Sequence, residues 1–171
     1  MARTTFILGG ARSGKSSFAQ MLAEESGLAC IYLATAEACD EEMAARIARH
    51  QEDRGPNWQT VEAPLDLCGA IADLGHTGSI LLVDCLTLWL SNILGAGRDP
   101  VLETERLLDA LGRSRAQTIL VSNEVGLGIV PETPLGRAFR DHAGRLHQRV
   151  AAHADRVALM VAGLPLWVKG D

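Results

Sequence analysis

Thr4–Ser16 reads TTFILGGARSGKS, and this stretch decides the fold. A short β-rich apolar run, Thr4–Leu8, enters a glycine pair. Gly9–Ser16 then satisfies G-x-x-x-x-G-K-[ST], and a helical pattern follows over Lys15–Glu25, with Gly27 placed to end it. Strand, glycine loop and helix in that order form a phosphate-binding loop. Residues without a Cβ let the backbone come close to phosphate oxygens. Successive N–H groups converge on the anion, and the positive end of the new helix points the same way. In such a loop the lysine, Lys15, neutralises the outer phosphates and the Ser16 hydroxyl can ligate Mg²⁺.

Outward from the loop, four more runs read as strands: Ala29–Leu33, Ser79–Val83, Thr118–Ser122 and Val157–Val161. They are continuously apolar rather than alternating, as expected of strands covered on both faces. Helical patterns lie between them at Glu41–Arg54, with Asp40 as N-cap, and at Leu86–Leu94 and Val101–Arg115. A long one opens at Pro134 and runs to about Ala154, with Leu135, Phe139, Leu146 and Val150 on one stripe. The alternation predicts an α/β protein with a mostly parallel sheet and helices on both faces. Pro165–Lys169 is a candidate for a last, antiparallel edge strand. No Ser-, Gly- or Pro-rich linker divides the 171 residues, which read as a single nucleotide-binding domain spanning 1–171.

Composition narrows the chemistry. Apolar residues make up 47 % and charged residues 22 %, which excludes a largely disordered chain or a collagen. The net charge of −5 disfavours duplex nucleic acid as the main partner. No apolar run approaches the ~20 residues of a membrane span. Cys30, Cys39, Cys68 and Cys85 form neither CxxC pairs nor zinc spacings, and a reducing, cytoplasmic setting fits them. Cys30 and Cys85 read as small core residues.

Asp84 ends the Ser79–Val83 run with a carboxylate, the natural oxygen donor for Mg²⁺ beside a phosphate loop. The same residue type also caps helices, and the two roles are compatible. The guanine-reading NKxD signature is absent: Ser122-Asn123-Glu124 occupies a strand end without matching it. In Asp40–Gly55 (DEEMAARIARHQEDRG), Met43, Ile47 and His50 share a helix face, with Arg46 and Arg54 one turn either side of His50. From spacing alone His50 completes an apolar stripe. The guanidinium groups favour its neutral, nucleophilic form and attract an anion. His142 is expected to pack near the stripe of the long C-terminal helix. His76, His147 and His153 are read as surface residues, and Trp58, Trp89 and Trp167 as core or interface. Two rival readings stay open on these residues: a metabolite kinase that needs only Lys15, Ser16 and Asp84, and a nucleotide-switched binding module.

Further blocks carry a family resemblance. They are YLATAE (Tyr32–Glu37), EMAARIARHQEDR (Glu42–Arg54), WQTVEAP (Trp58–Pro64), LLVDCLTLWLSN (Leu81–Asn92), VSNEVGLGIVPE (Val121–Glu132) and GRAFRDHAGRLHQRVA (Gly136–Ala151). With GGARSGKS they resemble, in order and over nearly the whole chain, the bifunctional adenosylcobinamide kinase/adenosylcobinamide-phosphate guanylyltransferases of cobalamin biosynthesis. The resemblance implies a three-layer, RecA-like P-loop fold, a homotrimer and two reactions at one nucleotide site. One is phosphorylation of adenosylcobinamide by a nucleoside triphosphate, ATP or GTP. The other is transfer of GMP from GTP to adenosylcobinamide phosphate, with the nucleotide carried on the histidine that falls at His50. It also implies nucleotide contacts from Gly9, Gly10, Ala11, Arg12, Ser13, Gly14, Lys15 and Ser16, from Ala34, Thr35 and Ala36, from Gln51, Glu52, Asp53 and Arg54, and from Glu62 and Asp84. Ser16 and Asp84 are the expected Mg²⁺ ligands. The residues offer no general base for the substrate hydroxyl.

Overall fold

In the computed structural model, residues 4–36 and 57–170 are described; the predicted helix Glu41–Arg54, and with it His50, Gln51, Glu52, Asp53 and Arg54, lies outside them. The described elements are β1 (Thr4–Gly9), α1 (Lys15–Glu25), β2 (Ala29–Ala34), β3 (Trp58–Glu62), α2 (Leu67–Leu74), β4 (Ser79–Asp84), α3 (Leu86–Gly95), α4 (Pro100–Arg113), β5 (Gln117–Asn123), α5 (Pro134–His153), β6 (Arg156–Val161) and β7 (Leu164–Lys169).

The strands form one seven-stranded sheet in the order β3-β2-β4-β5-β1-β6-β7. Every pairing is parallel except β6 with β7, so the tail is the antiparallel edge strand expected. Within each central strand, neighbouring residues point to opposite faces. Phe6, Leu81, Val83 and Leu120 enter one apolar layer with Trp89, Leu90, Leu107 and Leu146 of α3, α4 and α5. Ile7, Ile80, Leu82, Ile119 and Val121 enter the other, with Ala19 and Ala23 of α1. This double covering explains why the strands read as unbroken apolar runs. Trp89 is fully buried, and burial of a side chain of that size contributes about 3 kcal/mol.

Local chemistry fixes the helix ends. Thr133 caps α5 by accepting from Gly136 N at 3.1 Å, with Pro134 in the first turn; Asp99 and Pro100 do the same for α4. Gly27, at φ +67°, closes α1 in the left-handed conformation.

Three local readings differ from the sequence expectation. The pair β3 and α2 between the predicted helix and β4 is new. His147 is 7 % exposed rather than a surface residue, because the buried stripe of α5 runs Ala143, Leu146, His147, Val150 at spacings of three and four. The same stripe leaves Leu135, the second residue of the helix, 75 % exposed. Trp89 is core, whereas Trp58 and Trp167 are half-buried. Cys30 and Cys85 are buried as expected. No helix among the described residues is long and apolar enough to cross a membrane.

Candidate functional site

The parallel strands β1 to β5 all end on one edge of the sheet, where open α/β sheets bind ligands. β1 delivers the chain into Gly9–Ser16 there. Gly9 is pressed against β6: a Cβ added to it would meet Met160 Cβ and the Met160 carbonyl at 3.0 Å. Gly14, at φ +92°, makes the left-handed turn into α1 and lies against Gly163 of the β6–β7 turn, where its Cβ would approach Gly163 Cα to 3.2 Å. Gly163 N also donates to Ser13 O at 3.1 Å, so the hairpin at the sheet's far edge braces the loop.

Lys15 is buried, and its ammonium donates to the Gly10 carbonyl at 2.5 Å, with Ser13 Oγ at 3.5 Å. Burial holds its pKa below the usual lysine value, opposed by the attraction of Asp84. Ser16, in the first turn of α1, donates through Oγ to Asp84 Oδ2 at 2.8 Å. A hydroxyl and a carboxylate in contact at a loop of converging N–H groups make a hard oxygen donor set of the kind Mg²⁺ prefers. Among the described residues no group of three or more His, Cys, Asp or Glu gathers to hold a metal, so a cation here would draw its other ligands from phosphate and water.

The tip of β2 is locked to the tip of β4. Ala34 stands opposite Asp84, and the fully buried Thr35 accepts from Cys85 N and donates to Cys85 O, both at 2.8 Å. Asn92 of α3 clamps the same segment, donating to Thr35 O at 2.8 Å and Pro64 O at 3.0 Å. Thr87, Asn92 and Glu124 are site-edge residues that motif reading left without roles; the polar side chains of the otherwise apolar LTLWLSN helix were the available signal for the first two. Glu62 stands opposite Ala34 on β3 and is exposed. It lies four strand spacings from β1, roughly 19 Å. The structure therefore brings Gly9–Ser16, Ala34–Ala36 and Asp84 to one edge, with Glu62 at its remote end.

Comparison with known proteins gives the chain its relatives. A family model described as cobinamide kinase / cobinamide phosphate guanyltransferase matches residues 5–168. The bifunctional adenosylcobalamin biosynthesis protein CobP of Pseudomonas aeruginosa is 52 % identical over 96 % of this chain and 96 % of its own. The protein CobU of Escherichia coli, of the same description, is 40 % identical over 95 % and 98 %. Among solved structures, the flagellar accessory protein FlaH of Methanocaldococcus jannaschii superposes with a TM-score of 0.57 at 14 % identity, covering 99 % of this chain and 79 % of that one. The RadB recombinase gives 0.56 at 15 %, covering 92 % and 73 %. These two likenesses establish the fold, a RecA-like P-loop NTPase.

Proposed function

The chain belongs to the cobinamide kinase / cobinamide phosphate guanyltransferase family, and from that premise we propose how its residues divide two reactions. It is a bifunctional enzyme of adenosylcobalamin biosynthesis. The observation that carries the assignment of residues is the Ser16–Asp84 contact of 2.8 Å at the mouth of the phosphate loop.

A nucleoside triphosphate lies along the strand tips. Its phosphates sit in Gly9–Ser16, and its base lies toward Ala34–Ala36 and Glu62. The Glu62 carboxylate suits the N1–H and 2-amino donors of guanine. The Lys15 ammonium leaves the Gly10 carbonyl for the outer phosphates and, with the loop N–H groups, stabilises the charge that develops on them. Ser16 and Asp84 hold Mg²⁺, which when bound with the nucleotide neutralises part of the phosphate charge.

In the kinase step the aminopropanol hydroxyl oxygen of adenosylcobinamide bonds to the γ-phosphorus and the nucleoside diphosphate leaves. ATP and GTP both fit the phosphate site. In the guanylyl step an imidazole nitrogen of His50 bonds to the α-phosphorus of GTP and pyrophosphate leaves. A phosphate oxygen of adenosylcobinamide phosphate then displaces the histidine, giving adenosylcobinamide-GDP. Gln51–Arg54, just past His50, complete the nucleotide contacts. One loop serves both steps when the segment carrying His50 moves or the nucleotide takes two registers. The enzyme works as a cytoplasmic homotrimer. Mass spectrometry of the corrinoid after incubation with GTP and Mg²⁺ tests the reading: sequential gain of a phosphate and then of GMP is expected, and a corrinoid left unmodified refutes it.

A further inference from the structure

An alcohol that attacks phosphorus must give up its proton, and none of the residues assigned above receives it. Among the described residues, three carboxylates stand at, or one residue beyond, the C-terminal ends of β1 to β5: Glu62, Asp84 and Glu124. Asp84 already accepts the Ser16 hydroxyl. Glu62 lies at the base end of the edge, four strands from the loop. Glu124 follows β5, the strand that pairs with β1 through Gly9 and Asn123, and its N–H donates to the Gly9 carbonyl at 2.9 Å. Its backbone is thus bonded to the first residue of the phosphate loop.

The surroundings fix this strand end. Ser122 Oγ meets His147 Nε2 of α5 at 2.8 Å on one side. On the other, Asn123 donates to Thr87 Oγ1 of α3 from its side chain at 3.3 Å and its backbone at 3.4 Å. The carboxylate of Glu124 is turned by its own loop, accepting from Gly126 N at 2.6 Å. Beyond it, the loop through Leu127 and Ile129 is open to solvent, leaving this side accessible to an acceptor as bulky as a corrinoid.

We propose that Glu124 accepts the hydroxyl proton of the phosphoryl acceptor in the kinase half-reaction. The acceptor O–H bond breaks as its oxygen bonds the γ-phosphorus; the proton passes to the carboxylate and then to water, and the nucleoside diphosphate leaves with the electrons of the broken P–O bond. The guanylyl half-reaction needs no such group. Its acceptor is a phosphate monoester, with a second pKa of about 6, whose oxygens are already unprotonated at neutral pH. The proposal rests on the bifunctional reading, and the two half-reactions provide its control.

The test uses full-length wild type, Glu124→Gln and Glu124→Asp. Each is assayed for phosphorylation of adenosylcobinamide and, separately, for GMP transfer to supplied adenosylcobinamide phosphate. Glu124→Gln is expected to lower the kinase kcat about 100-fold or more. GMP transfer and the nucleotide KM stay within about threefold of wild type. Glu124→Asp recovers part of the kinase rate. A kinase kcat in Glu124→Gln within about threefold of wild type overturns the proposal. So does equal loss of both half-reactions in the two variants, which marks a structural role. Wild type that phosphorylates nothing takes the bifunctional reading down as well, a result distinct from a defect confined to the variants.

Discussion

At the residue scale, Lys15 and Glu62 stand far apart along the row of strand tips, and on the proposed reading they fail differently when changed. Lys15→Ala removes the charge that meets the outer phosphates in both half-reactions, so each kcat/KM should fall about 10²–10³-fold. Steady-state rates measured with one nucleotide for both steps check this; a loss confined to one step contradicts a shared cradle. Glu62→Gln keeps the size of the side chain but alters its pairing with guanine. Discrimination of GTP against ITP, which lacks the 2-amino group, should shrink about tenfold or more in GMP transfer. His147 is a different case. Burial lowers its pKa in the native state. As pH falls through the ordinary histidine value of about 6.5, the unfolded chain takes up a proton that the native chain refuses, so stability declines with a slope of at most about 1.4 kcal/mol per pH unit. Urea unfolding between pH 7.5 and 5.5 should show this slope, and His147→Gln should reduce it.

At the element scale the phosphate loop is held from outside. Gly9 and Gly14 lie so close to β6 and the β6–β7 turn that a methyl group would have to push those neighbours aside by a few tenths of an ångström. Gly9→Ala is expected to weaken nucleotide binding at least tenfold, as the loop shifts off Met160, with the far-ultraviolet dichroism unchanged. Isothermal titration with GTP reads the effect.

The elements legible in the sequence are those with a strong period or a strong cap. The five apolar runs, Pro134 at the start of α5 and Gly27 just past the end of α1 all fall within a residue or two of the observed boundaries. β3 and α2 escaped because WQTVE mixes apolar and polar residues with only half-buried apolar positions, and because LCGAIADL has just eight residues, too few for a clear period. His147 escaped for another reason. Its type argued for solvent while its spacing from Ala143, Leu146 and Val150 argued for the core, and the spacing was right. At the site, the loop and Asp84 could be read from motif and strand end. The contact that joins them could not, because it depends on a separation of 68 residues that only the sheet order closes.

At the scale of the whole molecule, the sheet order sets the division of labour. β5 lies between the strand that leads to the phosphate loop and the strand that carries Asp84, so the end of β5 stands between the loop and that carboxylate. β3 is the edge remote from the phosphate loop, and the antiparallel hairpin is the brace on the other side. A homotrimer built from this unit should sediment at three times 18.3 kDa, independent of nucleotide.

The central claim is that one phosphate cradle serves a histidine that briefly carries the nucleotide. Wild-type chain and His50→Ala should be incubated with α-phosphorus-labelled GTP and Mg²⁺ and separated under denaturing conditions. A protein-bound label that is lost in acid, survives base, and is absent from His50→Ala while its kinase activity persists is the predicted result. A wild type that transfers GMP without ever acquiring label, or a His50→Ala variant that transfers it at the wild-type rate, would contradict the account.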